Sequence, residues 1–393
     1  MCTRGHSRVS STIDLGPSFW DDVQRGFGGV EHGLRRGVLV RSAPHTGEEP
    51  DVRRGIRRWS NLGGLVAAMA LAIVAVVSSA PAASAAKAST SGKSSSVAST
   101  AQVLHAVAAA TAITTLPGNV DPPLKEAAAD HALTVLDQNG CDPAFGAATV
   151  GKCTFGDPMG KKTIVLVGDS HAGMWFPAFD TLAKNAHWKL VLLMKAVCPA
   201  VDLSFWNWSA NSAYPACDAF HQYTANRVNK LDPAVVVLTS WWHGVGLVPN
   251  GQPPTDAQWQ LGLEQALSSI TSPGTKKVVL GDMAYLSQTG PDCLAAHASD
   301  VQACTTPASD AVQSDHEQAL QAAAQATGAT YISVTPWLCT TVCPAVIGKY
   351  DVYADASEIT NQYVSYLEGA LAAAMQPVMG TASKAAPAQH KSS

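Results

Sequence analysis

Five short apolar segments alternate with helical patterns between residues 163 and 375. Each apolar segment is rich in β-branched residues and is bounded by polar or turn-forming residues, which predicts a buried strand. The predicted strands are 163–168, 189–194, 234–239, 276–281 and 330–334, and the predicted helices are 172–184, 213–230, 256–272, 310–326 and 360–375. Strands that alternate with helices in this way form parallel sheets covered on both faces. The sequence therefore predicts an α/β fold, a three-layer α/β/α sandwich around a mostly parallel five-stranded sheet.

The amino-terminal part of the chain has the features of a membrane-targeting segment. Four arginines between residues 53 and 58 directly precede an apolar run at 62–77, and small residues follow it. A basic flank, an apolar core and the sequence Ala83-Ser84-Ala85 are typical of a secretory signal peptide. Because the run is nearly long enough to cross a bilayer, a single membrane anchor is the alternative for residues 61–86. The arginines place the amino terminus in the cytoplasm in both cases.

Composition predicts the remaining boundaries. Residues 1–60 are predicted to be a disordered cytoplasmic segment or an over-long start assignment, and the Ser/Ala-rich segment 87–101 a flexible linker. One folded domain is predicted at 102–376, followed by a disordered tail at 377–393. After residue 86, 23 acidic residues oppose 16 basic residues, a formal net charge of −7, with no basic stripe. This charge balance excludes nucleic acid as an expected partner.

Eight of the nine cysteines follow the apolar run, and they form four close couples along the chain. The couples are Cys141 and Cys153, Cys198 and Cys217, Cys293 and Cys304, and Cys339 and Cys343. An even set on the exported side predicts disulfides in an oxidising compartment. Pairing within each couple is a hypothesis that rests on proximity alone. Zinc binding is the alternative, but the C-x-x-C doublets of structural zinc sites are missing, and no metal is predicted.

The tetrapeptide Gly168-Asp169-Ser170-His171 directly follows the first predicted strand. A serine on such a strand-to-helix turn lies at the carboxyl edge of the sheet, where open α/β sheets bind ligands. Its backbone N–H lies at a helix amino terminus, where partial positive charge can stabilise an oxyanion. Ser170 is therefore a candidate nucleophile. The alternative from these residues alone is that Ser170 caps the helix, as serines commonly do.

This tetrapeptide resembles block I of the SGNH hydrolases, and the chain as a whole resembles the SGNH domain that is fused to membrane acyltransferase-3 proteins, which modify cell-envelope polysaccharides. The shared features, in chain order, are Leu116-Pro117, Pro122-Pro123-Leu124, the Cys141 and Cys153 couple, Cys198-Pro199 before Cys217, Ser240-Trp241-Trp242, Cys293-Leu294 before Cys304, Trp337-Leu338-Cys339, Cys343-Pro344 and Tyr353-x-Asp355. The resemblance covers residues 102–375 and implies an SGNH fold, which is flavodoxin-like. Because one apolar segment precedes the domain, a free-standing version without the membrane acyltransferase module is expected.

The chain departs from that family at the catalytic base. Family members carry Asp-x-x-His near the carboxyl terminus, where the histidine is the base and the aspartate orients it. Here the element reads Asp355-Ala356-Ser357-Glu358, so that Glu358 occupies the place of the histidine. A glutamate is a weak base near neutral pH unless burial or a neighbour such as Asp355 raises its pKa. The resemblance implies Ser170 as nucleophile, Asp169 as support of the turn, and Asp355 with Glu358 as a modified base element.

Two histidines are alternative bases or supporting residues. His171 adjoins Ser170, and His243 follows the third predicted strand at the same sheet edge. For the oxyanion hole, we expect the backbone N–H of Ser170 and the backbone near Trp241. Several tryptophans near this edge could stack on sugar rings, with core packing as the alternative for each. They are Trp175, Trp206, Trp208, Trp241 and Trp242.

Two functions from different classes follow from these residues. The favoured one is an exported, SGNH-like serine esterase or O-acyltransferase that acts on acyl groups of cell-envelope carbohydrate, with weakened catalysis and no cofactor. The alternative is a non-catalytic domain that binds envelope polysaccharide or a membrane acyltransferase partner, because Glu358 replaces the expected histidine. Both predict an extracytoplasmic domain that is secreted or anchored by residues 61–86.

Overall fold

The computed structural model describes residues 97–380 of the chain, except residues 209 and 244. The predicted segment 1–60, the signal peptide or anchor at 61–86, linker residues 87–96 and tail residues 381–393 lie outside the described residues. Among the helices that the structure describes, none combines the length and the apolar character needed to cross a membrane.

Six strands form the central sheet. They are β1 Thr154–Gly156, β2 Thr163–Gly168, β3 Lys189–Met194, β6 Val235–Thr239, β8 Lys276–Leu280 and β10 Thr330–Ile332. Their spatial order is β1-β3-β2-β6-β8-β10. The last five strands in chain order, β2, β3, β6, β8 and β10, are mutually parallel and correspond to the five predicted strands within two residues at each end. Gly168 pairs with Met194 and with Thr239, so the carboxyl ends of β2, β3 and β6 are level. The predicted α/β fold with a mostly parallel sheet is confirmed.

The sixth strand corrects the predicted strand count. β1 pairs antiparallel with β3 at the edge of the sheet. Its three residues are too few to produce a recognisable alternating pattern, which is why the sequence did not predict it. Gly156 ends this strand with a φ of 74°, and a Cβ there would lie 2.5 Å from the carbonyl oxygen of Trp188. The edge therefore depends on a glycine at this position.

Eleven helices occur in the part of the chain that the structure describes. They are α1 Thr100–Ala109, α2 Leu124–Ala127, α3 Leu133–Gln138, α4 Ser170–Ala186, α5 Pro215–Leu231, α6 Asp256–Ser268, α7 Gly290–Ala296, α8 Ala308–Ala311, α9 Ser314–Thr327, α10 Asn361–Tyr366 and α11 Glu368–Met379. Short 3₁₀ turns cover Ala110–Ala112, Val301–Cys304 and Thr335–Trp337. Three further small sheets join β4 Phe205–Asn207 to β5 Ser212–Ala213 and β7 Gly246–Leu247, β9 Thr306–Pro307 to β11 Val342–Cys343, and β12 Val346–Ile347 to β13 Tyr350–Asp351.

Alternation along the strands divides the core into two layers. In β2, Ile164 and Leu166 face the layer that contains α1, α4, α10 and α11. Val165 and Val167 face the opposite layer, which contains α5, α6 and α9. Continuous apolar strands are thus buried on both sides, as expected for a sheet covered by helices on each face. The site described below lies where the carboxyl ends of these strands emerge between the two layers.

The two ends of the described domain differ slightly from the predicted boundaries. α1 begins at Thr100 because Ser99 and Gln102 form a reciprocal capping box, so residues 100–101 are helical and not part of the linker. α11 continues to Met379 and stops before Gly380, whose φ is 77°. Residues 377–379, predicted as tail, therefore belong to the last helix.

One disulfide joins the two cysteines of each couple, which gives four disulfides in the described residues. They are Cys141–Cys153, Cys198–Cys217, Cys293–Cys304 and Cys339–Cys343. The second of them ties the segment after β3 to the first turn of α5. Four such bonds are typical of a protein that folds in an oxidising compartment.

Candidate active site

Three neighbouring strands deliver polar side chains to one edge of the sheet. Asp169, Ser170 and His171 follow β2, Trp241 and Trp242 lie just beyond β6, and Asp282 lies two residues beyond the end of β8. The ends of β2 and β6 approach closely, because a Cβ at Gly168 would lie 2.0 Å from the carbonyl oxygen of Thr239. A glycine is therefore needed directly before Asp169 and Ser170.

Asp169 is the residue that caps α4. One of its carboxylate oxygens accepts the backbone N–H of His171 at 3.0 Å, and the other accepts the backbone N–H of Trp241 at 2.8 Å. Burial raises the pKa of Asp169 to about 6, although His171 and the two N–H donors lower it. Asp169 thus ties the start of α4 to the end of β6. Ser170 is not the cap but the first residue of the helix, where its own N–H has no partner within the helix.

Ser170 meets Glu358 in the interior. Both side chains are buried, and the Ser170 hydroxyl lies close enough to the Glu358 carboxyl group to lower its pKa. Burial and the nearby charge of Asp355 raise the pKa of Glu358 to about 7, while His171 and the Ser170 hydroxyl lower it. A carboxyl group with a pKa near 7 is poised to accept or release a proton at neutral pH.

Asp355 shapes the loop that carries Glu358. Its Oδ1 accepts the backbone N–H groups of Ser357 and Glu358, each at 2.6 Å. The backbone of this loop also accepts N–H groups from Leu286 and Gly290, which anchors it against the segment after β8. In the described geometry Asp355 therefore holds the backbone of Glu358 and adds negative charge beside it.

His171 turns across the end of β6 and pairs with Asp282. The Nδ1 atom of His171 lies 2.7 Å from Oδ1 of Asp282, and both side chains are buried. The other Asp282 oxygen accepts the backbone N–H of Trp242 at 3.1 Å and the hydroxyl of Tyr285. Burial alone would lower the pKa of His171, but the charge and hydrogen bond of Asp282 raise it to about 9. His171 is therefore protonated at neutral pH.

His243 occupies a different environment at the same edge. Its ring packs edge-on against the ring of Tyr285, with centroids 4.5 Å apart. Burial lowers the pKa of His243 to about 4, so its imidazole is neutral at pH 7.

The three candidate bases can now be compared by charge. His171 already carries its proton at neutral pH, and His243 holds a proton only in acid. Glu358 has a pKa close to neutrality, and it is the one of the three whose pKa the Ser170 hydroxyl lowers. Of these three side chains, Glu358 matches the requirements of a general base best.

Two buried nitrogen atoms at this edge of the sheet lack a hydrogen-bond partner among the described residues. They are Nε2 of His171 and the indole Nε1 of Trp241, whose rings have centroids 6.1 Å apart. Buried donors are almost always satisfied in proteins, so unpartnered ones at a site deserve an explanation. The backbone N–H of Trp241, which the sequence predicted as an oxyanion donor, already donates to Asp169. These two side-chain nitrogens and the backbone N–H of Ser170 can instead donate to an oxygen that carries negative charge.

The sequence did not predict Asp282, Tyr285 or Lys195 as part of this edge. Asp282 could have been found, because an acidic residue shortly after a buried strand lies at the edge where ligands bind. Lys195 directly follows β3 and is fully buried, with its ammonium group 2.9 Å from the carbonyl oxygen of Ala144 and 3.2 Å from that of Phe145. Burial lowers the pKa of Lys195 to about 8. This lysine holds the loop after Cys141 against the end of β3.

One set of potential metal ligands occurs within the described residues. Atoms of Cys198, Cys217 and His221 lie within 4.8 Å of one another. The two sulfur atoms are joined in a disulfide, so they are not available as thiolate ligands.

The chain was compared with known protein families and with curated proteins. A sequence model of the family described as "SGNH domain (fused to AT3 domains)" matches residues 140–372, which is more than half of the chain. A comparison with curated proteins gives no match.

Three solved structures are similar in fold at low identity. The periplasmic domain of a Salmonella ser. Paratyphi A lipopolysaccharide acetyltransferase is 16% identical, covers 54% of this chain and 82% of its own, and has a TM-score of 0.44. A putative acylhydrolase from Bacteroides fragilis is 11% identical over 57% of this chain and 91% of its own, with a TM-score of 0.36. A carbohydrate esterase family 2 enzyme from Corynascus thermopiles is 16% identical over 57% of this chain and 68% of its own, with a TM-score of 0.36.

Proposed function

Because the chain belongs to the family of SGNH domains that are fused to AT3 domains, we propose that it is a serine esterase or O-acyltransferase with Ser170 as nucleophile and Glu358 as general base. The observation that carries this proposal is the burial of Ser170 beside a carboxyl group whose pKa is raised to about 7. A serine hydroxyl is a weak nucleophile until an adjacent base takes its proton. The glutamate that replaces the family histidine has the pKa that this role requires.

The proposed reaction has two steps. In the first, the Ser170 oxygen attacks the carbonyl carbon of the acyl donor while its proton passes to the Glu358 carboxylate. The intermediate then expels the donor alcohol, which takes this proton back, and an acyl-Ser170 ester remains. In the second step, water or a sugar hydroxyl gives its proton to Glu358 and attacks the ester, and Ser170 recovers its proton as it leaves.

The negative charge that develops on the carbonyl oxygen needs donors. The backbone N–H of Ser170 lies at the amino terminus of α4, where the helix dipole favours negative charge. Nε2 of His171 and Nε1 of Trp241 are the further donors that we assign to this oxygen, because both are buried and unpartnered among the described residues. The positive charge of His171 would strengthen its contribution in a site of low dielectric.

We assign acyl groups on cell-envelope carbohydrate as the substrate class. The family is named for its fusion to AT3 domains, which favours acyl transfer as the chemistry. Trp206, Trp208 and Trp242 each keep part of their surface exposed, and aromatic faces of this kind can stack on sugar rings. The four disulfides favour an extracytoplasmic location. Residues 61–86, proposed as signal peptide or anchor, would deliver the domain there.

The test compares Ser170→Ala with the wild-type full-length protein in hydrolysis of p-nitrophenyl acetate and in transfer of labelled acetyl groups to envelope polysaccharide. We expect the variant to fall to the rate of the uncatalysed reaction in at least one assay. Ser309→Ala, at an exposed serine on α8, is the matched control and should retain the wild-type rate. Equal rates for wild type and Ser170→Ala in both assays would overturn the proposal in favour of a non-catalytic domain that binds envelope polysaccharide or a membrane acyltransferase.

A further inference from the structure

A cleft of about 150 Å³ opens between α5 and α6, on the face of the sheet opposite to α4. Its floor is formed by Val167 of β2 and Leu238 of β6, near the carboxyl ends of the two strands. It is separate from the residues that surround Ser170, apart from Gly168, which borders both regions. This α5–α6 cleft has no role in the reaction proposed above.

The interior of the α5–α6 cleft is apolar, and its mouth is polar. Phe220 and Val228 of α5 form one wall, and Ala266 and Ile270 form the other. Three exposed polar residues border it at the surface, namely Asp202, Gln222 and Ser269. Lysine and arginine are missing from the lining, so the cleft offers nothing to balance an anionic ligand.

Two polar groups line this apolar interior. Thr224 is 9% exposed, and its hydroxyl has no hydrogen-bond partner among the residues that the structure describes. Nε2 of His221 lies 2.8 Å from the carbonyl oxygen of Pro199 and must donate to it, which leaves Nδ1 as an acceptor in the neutral ring. A buried hydroxyl without a partner is unusual, because native proteins pair nearly all such groups. The Thr224 hydroxyl therefore points to a ligand that can form a hydrogen bond.

We propose that the α5–α6 cleft binds a small neutral molecule with an apolar body the size of a benzene ring and one hydroxyl group. A protein cavity of this volume with apolar walls accommodates benzene. Ligand pockets typically combine such walls with a few polar groups that fix orientation. The Thr224 oxygen is buried, so its side chain would rotate to pair with the ligand hydroxyl, while the apolar body of the ligand rests on Val167 and Leu238. This site is independent of the proposed acyl-transfer activity.

The experiment uses phenol and toluene as probes of nearly equal size that differ in the hydroxyl group. Binding to the full-length protein is measured by saturation-transfer NMR and by the rise in melting temperature. We expect phenol to bind more tightly than toluene. Thr224→Val keeps the shape of the side chain and removes its hydroxyl, so it should weaken phenol binding about threefold to tenfold and leave toluene unchanged.

Filling the cleft provides the second arm. Ala225→Leu should abolish binding of both probes, and Ala266→Leu serves the same purpose from the opposite wall if the first variant does not fold. Ser170→Ala should bind both probes as the wild type does, so that this result is independent of whether the enzyme proposal holds. The absence of saturable binding, or binding that survives a folded cleft-filling variant, would overturn the site. Equal affinity for both probes would overturn the assignment of a hydroxyl ligand to Thr224.

Discussion

Two buried carboxyl groups lie at the same sheet edge and have opposite pKa shifts. Burial and the charge of Asp355 raise the pKa of Glu358 to about 7, although His171 and Ser170 lower it. Burial would also raise the pKa of Asp282, but His171 and the Tyr285 hydroxyl outweigh burial and lower it. Neighbouring residues of one helix, Ser170 and His171, are thus the partners of two acids in different protonation states.

The difference shows that the partner, and not burial alone, decides what a buried carboxyl group can do. Asp282 is held by a cation, a hydroxyl and two backbone N–H groups, so it stays ionised and fixes the position of His171. Glu358 lies near the uncharged hydroxyl of Ser170 and a second acid, Asp355, so its pKa is about 7. The first pair is suited to structure and to fixed charge, whereas the second is suited to proton transfer.

The largest expected effect is the loss of activity when Glu358 loses its carboxyl group. Glu358→Gln keeps the size of the side chain and removes the base, so we expect kcat/KM to fall by about 10²–10⁴-fold. The free energy of unfolding at pH 8 should stay equal or rise, because an ionised carboxyl group no longer has to be buried. Ester hydrolysis and urea unfolding of the full-length protein measure the two quantities.

Glu368→Gln is the matched control for this variant. Glu368 is a half-buried acid that contacts α4 at Thr181, three turns after Ser170, and its pKa is also raised by burial. It should retain wild-type kcat/KM. If Glu358→Gln kept its activity while losing stability, Glu358 would be a structural acid like Asp282 and the contrast would fail.

Asp282→Ala should mainly lower the free energy of unfolding, whereas Glu358→Gln should mainly lower kcat/KM. The change leaves the buried His171 ring, the Tyr285 hydroxyl and the Trp242 N–H without their acceptor. Removing one partner of a buried ion pair lowers the free energy of unfolding by about 3–5 kcal/mol. Urea unfolding followed by tryptophan fluorescence at pH 7 measures this loss.

A second His–Asp pair provides the control at the surface. Asp157 lies 3.0 Å from Nδ1 of His187, and the His187 side chain is 85% exposed. Asp157→Ala should reduce stability far less than Asp282→Ala, because water replaces the lost partner. Equal losses at the two sites would show that burial does not distinguish the pairs.

The sequence predicted the strands of this edge better than the side chains that meet there. The five parallel strands and the position of Ser170 on its turn follow from local apolar runs and a glycine, which leave a clear pattern. The pairing of His171 with Asp282 depends on a side chain crossing the end of β6, and no local pattern encodes that direction. The antiparallel strand β1 was missed because three residues carry too little periodicity. Likewise, the raised pKa of Glu358 results from burial by several distant segments.

The pH dependence of activity tests whether the charge of His171, in its pair with Asp282, affects the pair of Ser170 and Glu358. Because the Glu358 carboxylate must accept the Ser170 proton, kcat/KM should rise with pH through a midpoint near 7. The cation of His171 lowers the pKa of Glu358, so His171→Gln should move this midpoint upward by about 1 pH unit. Glutamine retains a donor for Asp282. His187→Gln, at an exposed histidine, should leave the midpoint unchanged, and an unchanged midpoint in His171→Gln would disconnect the two pairs.

The smallest expected effect concerns the pH dependence of stability, to which Glu358 and His171 should contribute in different pH ranges. The pKa of Glu358 rises from 4.5 to about 7 on folding, so the folded state retains a proton that the unfolded state has lost. Its contribution to stability is complete below pH 4.5 and disappears as pH rises through about 7. The pKa of His171 rises from 6.5 to about 9, so its contribution is complete below pH 6.5 and disappears as pH rises through about 9.

Melting temperatures measured from pH 4 to pH 10 should therefore decline over two adjacent ranges. Glu358→Gln should flatten the decline in the lower range, and His171→Gln should flatten it in the upper range, with about 2–4 °C for each kcal/mol involved. If either variant flattened both ranges equally, Glu358 and His171 would titrate as one unit. The contrast between a carboxyl group poised for proton transfer and one held as a fixed charge would then not hold.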